Sequence, residues 1–152
     1  MKPTTLQDGD IARLVSNVTR VVLGSSATIA PTPKEAPEHL VSLPIHGVPG
    51  LVLYVAMNKP GLARLSSAMF GVDVTAVDRA MMKDSLGEFA NMAAGQIKAA
   101  IEPGHVLGLP AEPSASIEAL ADARFIDLQA GEIPLRVYVV PQAVGQGAKS
   151  SN

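Results

Sequence analysis

Apolar side chains recur along this chain in two rhythms, one of helical period and one of strand length. From Leu6 to Leu23 they fall at Leu6, Ile11, Leu14, Val15, Val18, Val21 and Val22, close to the spacing of a helix that buries one face. Gly24 and the serines after it end that helix. Prolines at 31, 33, 37, 44 and 49 predict irregular loop or sheet edge over the centre of the next stretch. Leu40–Ile45 and Leu51–Val55 read as strands joined through the turn residues His46-Gly47-Val48-Pro49-Gly50. Asn58 as N-cap and Pro60 in a first turn open a short helix with Leu62, Leu65, Met69 and Phe70 on one face, stopped by Gly71. Thr75 and Asp78 resemble a capping box ahead of the longest helical pattern, which runs through Met82, Leu86, Phe89, Ala93, Ile97 and Ala100 to Pro103-Gly104. Residues 103–113 read as loop. Phe125–Leu128 and Leu135–Val140 then read as two strands turning at Ala130-Gly131-Glu132.

The two halves resemble each other. Gly47 to Val55 can be laid on Gly131 to Val139, 84 residues later, with Gly, Leu, Tyr and Val coinciding. Each hairpin follows a long amphipathic helix, so the pattern predicts a helix-plus-hairpin unit repeated about a pseudo-twofold axis. The expected fold is α+β, with long helices packed on a mainly antiparallel sheet of four strands. Residues 1–144 are expected to form a single domain. Residues 145–152, small and polar, read as a flexible C-terminal tail.

Composition narrows the function. The absence of cysteine removes disulfides, thiolate metal sites and cysteine nucleophiles. A formal charge of −2 and 3% aromatic residues give no footprint for nucleic acid. No apolar run reaches the roughly 18 residues of a membrane span, and the first residues lack the core of a signal peptide, so a cytoplasmic protein with no membrane insertion is expected. Only 17% of residues are charged, against about 25% in an ordinary soluble domain. That shortage predicts apolar surface buried against a second subunit, and an uncovered edge made of Leu51–Val55 or Leu135–Val140, or a sheet face left bare by the helices, would be covered in a symmetric homodimer.

The longest helix carries the candidate chemistry. At about 100° per residue, Met82, Phe89, Ala93, Ile97 and Ala100 fall within roughly 60° of Leu86. Asp84, Glu88, Asn91, Gly95 and Lys98 gather on the opposite side, between roughly 120° and 200°. Glu88 and Asn91, three residues apart, are neighbours on that stripe. Taken alone, a Glu-x-x-Asn pair is ordinary on a solvated helix face. Gly95 is less ordinary, because glycine inside a helix costs about 1 kcal/mol against alanine. Its place on the polar stripe leaves room for another protein's backbone.

The segment Asp84-Ser85-Leu86-Gly87-Glu88-Phe89-Ala90-Asn91-Met92-Ala93-Ala94-Gly95-Gln96 resembles the signature helix of the CheX chemotaxis phosphatases, relatives of CheC. The similarity extends to Leu62–Gly71, to the strand Gly50–Val55 and to the opening helix, covering roughly Leu6 to Val140. The resemblance implies hydrolysis of the aspartyl phosphate on a separate CheY-like response regulator, with Mg²⁺ supplied by the regulator and no cofactor of the chain's own. It implies that Asn91 orients the attacking water and that Glu88 pairs with a lysine of the regulator. Asp84, Gly95, Met92 and Lys98 are then expected partner contacts, although Met92, like the other methionines, reads most simply as core and rim filling. In two-site relatives the opening helix carries a second glutamate–asparagine pair. Here Asn17 stands in the analogous place, but the residue three before it is Leu14. One working site per chain is therefore expected, with Asn17 solvated or capping.

Other chemistry finds little support. His39, His46 and His105 show no metal-ligand spacing, and no G-x-S-x-G turn, P-loop or dinucleotide fingerprint occurs. The competing reading is a non-catalytic adaptor or motor-switch component that binds a receiver domain through the same face. Asn91 favours the enzyme, because docking alone does not require it.

Overall fold

The helical rhythm after Leu6 becomes α1 (Asp8–Leu23), entered where the Asp10 carboxylate accepts the Gln7 N–H at 3.0 Å and left through Gly24 in the left-handed region, φ 71°. A turn of that sign suits glycine because a Cβ would crowd the carbonyl. α2 (Lys59–Phe70) starts at Asn58, whose side chain accepts the Gly61 N–H at 2.8 Å, and ends at Gly71, φ 67°. α3 (Arg79–Ala100) is the longest. Its cap is Asp78 itself, accepting the Met81 N–H at 2.8 Å. The capping box expected at Thr75 is thus corrected. Thr75 belongs to a 3₁₀ turn, Val74–Ala76, capped by Asp73. The Thr75 N–H and hydroxyl both donate to Asp73, at 2.9 and 2.8 Å, and hold its carboxyl below the usual carboxylate value.

In this computed structural model, which describes residues 2–113 and 116–143, the strands are β1 (Ala27–Ile29), β2 (His39–His46), β3 (Leu51–Met57), β4 (Val106–Leu107), β5 (Phe125–Ala130) and β6 (Ile133–Pro141). They form one sheet in the order β1-β5-β6-β3-β2-β4, every neighbouring pair antiparallel. Six strands stand where four were expected. The additions, β1 and β4, are two or three residues long, too short for an alternating pattern to register. Exchanging β1 with β4, β5 with β2 and β6 with β3 reverses the order of the sheet, as a pseudo-twofold axis between β3 and β6 requires. The tail expected from residue 145 lies outside the described residues.

Alternate residues of the strands, among them Val41, Leu43, Leu53, Val55, Leu128, Leu135 and Val137, face the three helices and form the main core with Ile11, Val15, Leu62, Leu65, Leu86, Phe89 and Ile97. Each large aliphatic or aromatic side chain so buried contributes about 1.5–3 kcal/mol. On the other face a smaller cluster joins Ala56, Tyr138 and Leu120, with Leu40, Tyr54 and Val140 half-buried around it. Beside it the Arg136 guanidinium donates to both oxygens of Asp127, at 2.8 and 3.0 Å, which raises the pKa of Arg136 further.

The exit from α3 is pinned. His105 is buried, and its Nδ1 and Nε2 lie 2.8 Å from the carbonyl oxygens of Glu102 and Pro49. The ring fills the space above Gly47, where a Cβ would come within 2.3 Å of it. The loop that follows is stitched to β2, with Gly108 N–H donating to Pro44 and Ala111 exchanging two backbone bonds with Ser42.

Candidate functional site

α3 packs on α1, α2 and the sheet, so most of its circumference is covered. Ser85, Leu86, Phe89, Ala90, Ala93, Ala94 and Ile97 are buried. What remains open is the expected stripe. Asp84, Glu88 and Lys98 are exposed, and Asn91 and Gly95 are half-buried along it. Small residues at 85, 90, 93 and 94 let neighbouring elements approach α3 closely, which narrows the exposed arc and fixes the helix rigidly.

Asp84, Glu88 and Asn91 line one open groove. Its floor is α3, including Gly87. Its walls include Met69 and Phe70 at the end of α2 and Leu109 and Pro110 in the loop after β4, and Lys83 and Ser85 of α3 line it too. Among the described residues, neither Glu88 nor Asn91 spends its side chain on a hydrogen bond or an ion pair within the chain. A half-buried amide with both functions free can accept from a water and donate to an anionic oxygen together. The exposed carboxylate of Glu88, one turn away, can take a cation.

The other stripe residues divide. A methyl added at Gly95 would meet no neighbouring group within 4 Å, so packing does not account for glycine there. Gly95 and Lys98 continue the open face beyond the groove. Met92, by contrast, is half-buried and packs against the main core, in keeping with its simpler reading as filling. Gly87, Phe70 and Leu109 were absent from the sequence-based set of site residues. The pair of glycines inside one helix, at 87 and 95, was a legible signal for the first; nothing in a linear pattern brings Leu109 to α3.

Asn17 is not a cap, and it is only partly solvated. It is half-buried in the middle of α1, where its Nδ2 donates to Gln96 Oε1 on α3 at 3.0 Å and its Oδ1 accepts from Arg20 at 2.8 Å. Leu14, one turn before it, is 4% exposed and belongs to the core. The pseudo-symmetric position therefore has no carboxylate and no free amide. Among the described residues no three His, Asp or Glu side chains come together to hold a metal ion, and no helix is long and apolar enough to cross a membrane.

No curated protein matches the chain by sequence. Among solved structures, CheX from a Desulfovibrio desulfuricans subspecies superposes with a TM-score of 0.63 at 21% identity, covering 88% of this chain and 99% of that one. CheX of Borrelia burgdorferi, in a complex with CheY, BeF₃ and Mg²⁺, gives 0.65 at 14% identity, over 88% and 96%. FliY of Thermotoga maritima gives 0.57 at 13% identity, over 93% and 88%. These likenesses establish a shared fold. The family model described as chemotaxis phosphatase CheX matches residues 40–118, a stretch that takes in β2, β3, α2 and all of α3 with Glu88 and Asn91. The chain belongs to the CheX family of chemotaxis phosphatases.

Proposed function

We propose that this protein hydrolyses the aspartyl phosphate of a CheY-like response regulator, using Asn91 to orient water and Glu88 to hold the regulator. The observation that carries the reading is the contrast between two asparagines. Asn17 is committed to Gln96 and Arg20, whereas among the described residues the side chains of Asn91 and Glu88, together in one groove, have no partner.

An acyl phosphate is already labile, so the protein's task is to place a nucleophile. With the Asn91 Oδ1 accepting from the water and its Nδ2 donating to a phosphoryl oxygen, the water oxygen lies in line with the bond to be broken. A new P–O bond forms, the bond to the aspartyl oxygen breaks with its electron pair leaving on the carboxylate, and the water's proton ends on inorganic phosphate. The regulator's Mg²⁺ neutralises the phosphoryl oxygens. Glu88 pairs with a regulator lysine and fixes the register of docking. The B. burgdorferi relative, held in a complex with CheY, BeF₃ and Mg²⁺, supports this division of parts.

The outer face of the sheet supports a homodimer in this reading. Leu40, Val52, Tyr54 and Val140 are half-buried there on the side away from the helices, which leaves each α3 free for its own regulator. The direct test is phosphate loss from phosphorylated receiver domains with and without the protein. Acceleration supports the enzyme; binding without acceleration supports an adaptor.

A further inference from the structure

The geometry points to Phe70 and Leu109 as a rigid apolar clamp that grips the regulator beside the Glu88–Asn91 stripe, and so sets affinity for the partner independently of the chemistry. The inference rests on the function proposed above for the same site, and it adds residues and a role that this function does not require.

Phe70 is 45% exposed and Leu109 is 82% exposed. From two different elements they line the groove whose floor carries Gly87, Glu88 and Asn91. Scattered apolar residues on a surface need no account, but two large ones lining one groove together with a polar pair combine apolar and polar groups as a binding surface does. Phe125, also partly exposed, differs in that the Arg136 guanidinium lies over its ring at 4.1 Å. Among the described residues, no such cover lies over Phe70 or Leu109.

Both walls are held before any partner arrives. Phe70 is the last residue of α2, and the turn behind it is closed by Gly71 N–H and Val72 N–H, both donating to the Ser67 carbonyl. Leu109 and Pro110 lie between two anchors on β2, the Gly108–Pro44 bond and the paired bonds of Ala111 with Ser42. A preorganised wall loses little freedom on docking, so the apolar area it buries goes into affinity. Gly87 keeps the gap open. A methyl there would sit 3.6 Å from the Pro110 Cβ, an ordinary contact that the fold could accept, so the glycine serves the space above the helix.

The occupant follows from the floor and walls together. Among the described residues Asp84 and Glu88 present two carboxylates without a partner, while Lys83, which also lines the groove, has its ammonium 4.0 Å from the Glu112 carboxylate; Met69, Phe70, Leu109 and Pro110 are apolar. The matching surface is a cation flanked by apolar side chains beside the phosphoryl group, continuous with the face that the proposed reaction already engages. The partner is therefore a receiver domain whose active-site lysine is rimmed by apolar residues.

The test compares wild type with Phe70→Ala, Leu109→Ala and the double variant, measuring both Kd for receiver domains loaded with beryllofluoride and Mg²⁺ and turnover on the phosphorylated receivers. Each single change is expected to raise Kd and KM about tenfold, the double change by about a hundredfold, with kcat within about twofold of wild type. Leu109→Asp, wholly on the surface, should show the same loss if Phe70→Ala lowers Tm. A double variant that binds within about twofold of wild type overturns the clamp, as does a loss confined to kcat. If wild type binds a receiver without hydrolysing its phosphate, and the clamp variants abolish that binding, the clamp stands and the catalytic reading falls. If the clamp variants bind normally while Asn91→Ala stops hydrolysis, the reverse holds. A wild type that binds no loaded receiver overturns the clamp.

Discussion

Tyr54 on β3 and Tyr138 on β6 are direct cross-strand partners, their rings 6.3 Å apart and crossed at 82°. The same two tyrosines coincide when the first hairpin is laid on the second. A residue that meets its own copy lies on the axis relating the copies, so the pseudo-twofold passes between these rings. The helices obey the same relation, with α1 and α3 each leading into a hairpin, yet only α3 carries a Glu-x-x-Asn. The Glu-x-x-Asn pair is thus confined to one of the two copies.

That divergence can be probed at Leu14. Leu14→Glu would write a second Glu-x-x-Asn on α1, but Leu14 is 4% exposed in the main core. The variant is expected to lose about 3 kcal/mol or more of stability and gain no activity. Asn17→Ala, which breaks a half-buried pair with Gln96, is expected to cost about 1 kcal/mol and to leave dephosphorylation within about twofold of wild type. Urea unfolding and phosphate release measure the two effects. A large catalytic loss in a folded Asn17→Ala would show that α1 carries a working site.

Gly95→Leu tests whether the open face is an interface. Leucine improves helix propensity by up to about 1 kcal/mol, and its Cβ would meet nothing within 4 Å. Tm is expected to hold or rise while binding to a beryllofluoride-loaded receiver is lost. Unchanged binding would place the partner elsewhere.

Glu88→Ala should raise KM for the phosphorylated receiver by about tenfold or more, because the carboxylate is assigned to docking in a partly desolvated contact. Glu88→Gln, which keeps the shape and removes the charge, should do nearly the same. A change seen only in thermal stability would contradict the role.

The sequence was most legible where burial imposes a period. Helix α2, from its cap at Asn58 to its stop at Gly71, follows directly from the pattern, as do the hairpins β2–β3 and β5–β6 and the polar stripe of α3. Less legible were features set by neighbours distant in the chain. β1 exists because Ser16 Oγ on α1 accepts the Ala27 N–H at 3.0 Å and β5 pairs alongside, and no local pattern encodes either. Likewise Asn17 reads as a solvated amide until Gln96, 79 residues away, is placed opposite it. Leu109 reads as loop until β4 folds it against the mouth of the site.

Assembly shows a similar limit. Either an uncovered edge made of Leu51–Val55 or Leu135–Val140 or a bare sheet face was expected to invite a second copy; β3 and β6 are the two central strands, paired on both sides, which leaves the face. The homodimer proposed above therefore uses the outer face of the sheet. Light scattering at micromolar concentration should give twice the chain mass of 15.7 kDa. Val52→Lys, on that face, should give the monomer mass with turnover per chain retained. A wild-type monomer would contradict the dimer without touching the assignment of Asn91.

The central claim is that Asn91 positions the water, and the measurement that tests it most directly is the rate of phosphate loss from a phosphorylated CheY-like receiver in the presence of wild type or Asn91→Ala. Asn91 is half-buried on the open stripe with no side-chain partner among the described residues, so its removal should leave the fold intact, with Tm unchanged within about 2 °C. Binding to the beryllofluoride-loaded receiver should stay within about threefold of wild type, while kcat falls by at least about a hundredfold toward the receiver's own rate of hydrolysis. A folded Asn91→Ala that still accelerates phosphate loss as well as wild type would contradict the account.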